Sequence, residues 1–178
     1  MMPAANNPGS IPATHPLRRI FHDLVRECFK DTLPKGDAEL ATYVADMLTE
    51  FSSTERLYPV FDREGKPVRD LDALLLASDP VHGTAESFDA ERRLRRHIGD
   101  YLLFSAGMAP ESAATPERIG AMVRAGQESY WVVSQFNLFE YEREAPLFAR
   151  LSEAFEPCMY GLREVYTRLQ RPGPRMLM

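Results

Sequence analysis

The chain has 178 residues, 44% hydrophobic and 26% charged, a balance that suits one soluble globular domain with a sizeable core. Its formal net charge of −5 argues against a general affinity for nucleic acid or anionic membrane. No apolar run reaches the roughly 18 residues a membrane span needs, and MMPAANNPGSIPATHP lacks the charged and apolar regions of a signal peptide, so a cytoplasmic protein is expected.

Residues 1–13 carry Pro, Asn, Ala and Gly without periodicity and read as a flexible lead; 14–170 read as a single domain, and 171–178 as a tail. Thr14 or His15 caps a first helix with Pro16 in its first turn, and Leu17, Ile20, Phe21, Leu24, Val25 and Cys28 form its apolar face. Pro34 and Gly36 end it. Asp37 caps a second helix, with Leu40, Ala41, Val44, Met47, Leu48 and Phe51 at helical spacing. Residues 57–68, LYPVFDREGKPV, are the only strand material, and Pro59 and Pro67 restrict them to an edge hairpin. A short third helix is expected from Asp70.

The fourth, central helix starts near Thr84 or Ser87 and runs to Met108. Leu94, Ile98, Tyr101, Leu102, Ser105 and Met108 form one stripe, and Leu103 and Phe104 make its second half apolar almost all round. Gly99 lies off the main stripe, and because a mid-helix glycine costs roughly 1 kcal/mol relative to alanine, it predicts close approach by a second helix. Thr115, Pro116 and Glu117 together start a fifth helix at 116–139. A last segment keeps Leu147, Phe148, Leu151, Phe155, Cys158, Leu162 and Val165 in one phase, with a kink at Pro157. The fold class is therefore all-α, a single bundle of five to six helices.

Four chemistries are candidates. Arg92, Arg93 and Arg96 are candidates for an anion patch, with His82 and His97 adding protons in mild acid. The simpler reading is a solvated face in which Asp89 pairs with Arg93, Glu91 with Arg95, and Arg96 with Asp100, each four residues apart. A metal site has little support: there is no Glu-x-x-His or CxxC, and Cys28 and Cys158 sit on apolar helical faces as reduced thiols do. GxSxG and glycine-rich phosphate loops are missing, so catalytic residues are not assigned and the cofactor is unknown. Finally, His97, Tyr101, Gln127, Tyr130, Trp131 and Asn137 are candidates to line a pocket between the central and fifth helices, the competing reading being a self-satisfied buried polar network.

The string Arg96, His97, Ile98, Gly99, Asp100 resembles the R-x-L-G-D opening of the distal helix of haem oxygenases. That resemblance implies an all-helical bundle holding haem between two helices, with His22 as the first-helix ligand candidate. The sequence departs from the pattern at Leu103 and Phe104, where that family has a Gly-Gly pair, so the likeness bears on fold only.

The leading functional expectation is a non-enzymatic helical-bundle protein acting through a protein partner or by self-association, with Phe136 and Phe139 on an interface. The alternative is a binder of an apolar or aromatic small molecule in the central pocket.

Overall fold

A computed structural model of the chain describes residues 15–33, 37–52, 87–109 and 115–170. The expected lead, hairpin, third helix and tail lie outside these residues, as does His82. The described residues form an all-α bundle: α1 (Pro16–Phe29), α2 (Ala38–Phe51), α3 (Phe88–Met108), α4 (Pro116–Ser134), a 3-10 turn (Phe139–Tyr141), α5 (Ala145–Glu153) and α6 (Phe155–Gln170). None of these helices is long and apolar enough to cross a membrane.

Four helices begin where local chemistry supplies the missing acceptor. The first backbone N–H groups of a helix have no intrahelical partner, so a side-chain acceptor just before them stabilises the start. His15 Nδ1 accepts from the Leu17 N–H at 3.1 Å, and Pro16 fills the first position. Asp37 accepts from Leu40 at 3.2 Å, Ser87 from Ala90 at 3.1 Å, and Thr115 from Arg118 at 3.2 Å.

Two ends differ from the sequence expectation. The fifth predicted helix, here α4, stops at Ser134 rather than 139. The Ser134 hydroxyl donates to the Trp131 carbonyl, and the N–H groups of Gln135 and Phe136 fall back on Val132 and Val133, tightening the turn until it terminates. The last segment breaks at Ala154 into α5 and α6 instead of kinking continuously. Pro157 offers no N–H to the Glu153 carbonyl, which opens the ladder there. The phase nevertheless survives the break, since Phe148, Leu151, Phe155, Cys158, Leu162 and Val165 are all buried.

Helix α3 packs along α4 and against α6, α1 packs on α2 and α6, and α5 on α4. Ile98, Leu102, Leu103 and Ala106 of α3 are fully enclosed, so its apolar half forms the core axis. On α1, Phe21, Val25 and Cys28 are buried as expected, but Ile20 is exposed. Gly99 is a close-contact point: a Cβ there would lie 2.7 Å from the Tyr130 ring of α4. Gly126 of α4 seats the Phe155 ring in the same way, and Gly161 of α6 seats that of Phe29.

Candidate functional site

A part-buried polar centre joins three helices. Tyr43 of α2 and Tyr130 of α4 both donate their hydroxyls to Asp100 Oδ1 of α3, each at 2.7 Å. Arg96, one turn earlier on α3, donates its Nε–H to the Tyr43 oxygen at 3.2 Å, and its guanidinium lies 5.5 Å from the centroids of the Tyr43 and Phe148 rings. Burial pushes the Asp100 carboxyl above its ordinary pKa, against the pull of Arg96 and the two phenols. Both tyrosines are held well above the usual phenol range, first by burial and then by the Asp100 charge. This cluster is a cross-link: its donors are directed at acceptors within the cluster.

The arginines of the expected anion patch separate. Arg92 is buried, with its guanidinium 4.1 Å from the centre of the Tyr141 ring and an Nη donating to Glu144 at 2.6 Å. Arg96 is drawn into the tyrosine cluster, and only Arg93 is exposed. The surface patch is therefore not assembled, because partners from α2 and from the segment after α4 draw two of the three inward. Two of the three expected intrahelical pairs give way to other partners: Asp89 accepts the Tyr141 hydroxyl at 2.6 Å, and Asp100 accepts from the two tyrosines.

The pocket candidates are likewise dispersed. His97 packs beside Tyr101, with ring centroids 6.1 Å apart, and against Phe51 of α2 at 6.0 Å. Its Nε2 is buried without a hydrogen-bond partner among the described residues, and burial lowers its pKa to about 4. Tyr130 instead fills the space over Gly99, between Phe148 and Phe155. Trp131 and Asn137 are exposed, and the Gln127 carbonyl accepts the Ser152 hydroxyl at 2.8 Å. The Tyr130 ring thus packs into the contact between α3 and α4. A groove of about 290 Å³ lies elsewhere, between α1 and α2, lined in part by His22, Arg26, Phe29 and Thr42.

The residues do not fit haem. His22 Nε2 is 2.7 Å from Asp46 of α2, in a cluster where Arg18 also bonds Asp46 and Glu50, so that nitrogen is already engaged. Where the resemblance would have its Gly-Gly pair, Leu103 is fully buried and the Phe104 ring packs against Phe51 of α2 at 5.5 Å. Among the described residues no three His, Cys, Asp or Glu side chains converge as a metal-binding group.

What remains is one end of the bundle. Helices α3 and α4 run antiparallel: Asp100 meets Tyr130, while Asp89, near the start of α3, meets Tyr141 beyond the end of α4. The exposed Phe88, Leu138 and Phe139 therefore share an end, with exposed Trp131 on the last turn of α4. Phe139 is 90% exposed and sits at φ 54, a left-handed backbone that L side chains seldom adopt. The turn is clamped from behind by the Tyr141–Asp89 hydrogen bond and the Arg92–Glu144 pair. Phe136, the other interface candidate, is only half-buried after the helix end, so it is not presented as Phe139 is. The sequence named Phe139 but placed it on a helix; it missed Phe88, Leu138 and the clamp, whose partners are about fifty residues apart in the chain.

Compared with known protein families, curated proteins and solved structures, the chain matches none.

Proposed function

We propose that the chain is a non-enzymatic helical-bundle protein that acts through protein–protein contact at the end carrying Phe88, Leu138 and Phe139. The observation that carries this reading is Phe139, a large apolar side chain 90% exposed on a positive-φ backbone. Such strain costs of order 1–3 kcal/mol and tends to persist where surrounding structure holds it for a purpose. Here the surrounding structure is the clamp of Asp89, Arg92, Tyr141 and Glu144. An exposed apolar cluster on a clamped support is the ordinary form of an interaction surface, in which aromatic side chains supply most of the contact energy.

The test is photocrosslinking in the cells that make the protein, with the reactive side chain placed at position 139 and, as a control, at exposed Arg124. Protein adducts at 139 and not at 124 are expected. An adduct of twice the chain mass identifies a second copy, and another mass a different protein. If position 139 yields no protein adduct, the reading is wrong.

A further inference from the structure

We infer that the occupant of this bundle end is a cationic amphipathic segment of another protein, one that sets Arg or Lys side chains beside an apolar stripe. The inference rests on the reading of this end as a protein-binding surface and adds the chemistry of the partner.

The charge around the apolar group carries it. Between Arg124 and Arg143 the sequence contains no lysine or arginine, whereas Glu128, Glu140 and Glu142 are present and exposed. Glu128 is three residues before Trp131 on α4, hence on the same face. Glu140 and Glu142 flank Tyr141 directly after Phe139, and exposed Asp89 follows Phe88. Arg93 and Arg143 are the exposed bases at the margin; Arg92 is buried and paired with Glu144. Among the described residues the apolar cluster is therefore bordered by more carboxylates than cations.

A second copy fits this border poorly. In a two-fold contact the same patch meets itself, so Glu140 and Glu142 of each copy would approach their counterparts, and like charges brought together at an interface oppose association. A cationic segment meets the same border favourably. Its guanidinium or ammonium groups pair with Glu128, Glu140 and Glu142 at the rim and lie over the exposed rings of Trp131 and Phe139, where the ring quadrupole attracts a cation. Its apolar stripe covers Phe88, Leu138 and Phe139.

Trp131 is the only tryptophan in the chain and reports on the site directly. The probes are synthetic amphipathic helices of about 18 residues, one of Leu and Arg, one of Leu and Glu with the same apolar stripe, and a Leu/Arg peptide of scrambled order. The Leu/Arg helix is expected to saturate with a blue-shifted Trp131 emission and to weaken by about tenfold or more between about 50 and 500 mM salt. Scrambling its order should cost about as much, and the Leu/Glu helix should not bind. Two variants keep the result specific. Phe139→Gly relieves the left-handed strain, so it should fold at least as well yet bind at least about tenfold more weakly. E140Q/E142Q should lose most of the salt dependence and much of the affinity. Binding that survives Phe139→Gly, equal binding of the Leu/Glu or scrambled peptide, or no binding of the Leu/Arg helix would overturn the inference. Should it fail while position 139 still crosslinks to protein, the surface stands and only the partner's chemistry is wrong.

Discussion

Asp100 is the residue on which the centre of the molecule turns. One carboxylate oxygen accepts from two tyrosines on two other helices, and Arg96 reaches one of them. A hydrogen bond to a charged group contributes about 1.5–3 kcal/mol, so Tyr130→Phe is expected to lower unfolding free energy by about 2 kcal/mol, read from urea unfolding midpoints. The adjacent His97 gives this region an opposing pH dependence. Its pKa falls from 6.5 unfolded to about 4 folded, so between those values the unfolded chain binds more protons and stability is lost as pH falls. The full window is worth roughly 3 kcal/mol. Asp100 works the other way: burial raises its pKa, the folded chain holds the proton more tightly, and stability declines as pH rises from the unfolded value through the folded one. His97→Leu should therefore remove the acid loss between about pH 6.5 and 4, and Asp100→Asn should steepen it. Unfolding curves at about pH 4.5 and 7 check both; parallel pH profiles in the variants and the parent would contradict the assignment.

At the scale of elements, the segment after α4 is the informative one. It forms a 3-10 turn that Tyr141 and Glu144 fasten to the first turns of α3. Arg92→Met removes both the ion pair and the stacking on Tyr141. Amide exchange across 138–144 is then expected to accelerate by about tenfold or more while core amides of α3 and α6 keep their protection, measured by mass spectrometry. Unchanged exchange in the turn would mean that the clamp does not hold it. The same segment shows what sequence reading can and cannot reach. Helix starts were legible because caps are local: Asp37 and Thr115 accept from backbone N–H groups three residues further on. Gly99 was legible as a contact because a glycine inside a helix is costly without a packing reason. Arg92 was not, since the residues that bury it arrive fifty positions later, and helical spacing alone leaves an arginine on the solvent side. Asp100 was misread for a related reason: Arg96 four residues away offered a sufficient local partner, while Tyr43, fifty-seven residues off, left no local sign. The end of α4 was overrun because the apolar pattern continues past Ser134, where the hydroxyl ends the ladder.

For the molecule as a whole, the cysteines provide a measure of integrity. Cys28 and Cys158 are both buried free thiols, and burial raises both pKa values, that of Cys158 to about 12. Only the thiolate reacts readily, so neither should be modified in the native chain near neutral pH. Labelling of Cys158, deep between the helices, is expected to follow global unfolding and to rise with urea along the same curve as the loss of helicity. Reaction of Cys158 well below that transition would reveal a local opening of α6. On the outward face the exposed aromatic side chains among the described residues are Phe88, Trp131 and Phe139, which belong to the end proposed to receive a partner, and Tyr160 on α6.

The three ring seats, finally, set the helices like meshed gears. Gly99 of α3 holds a ring of α4, Gly126 of α4 holds a ring of α6, and Gly161 of α6 holds a ring of α1. Each engagement fixes both the rotation and the axial setting of one pair, and in sequence they run from the middle of the bundle to its first helix. No helix in that train can slip by a residue without unseating the next. The train therefore sets the registers of these helices together, and a side chain added at any of the three glycines would have to displace its ring.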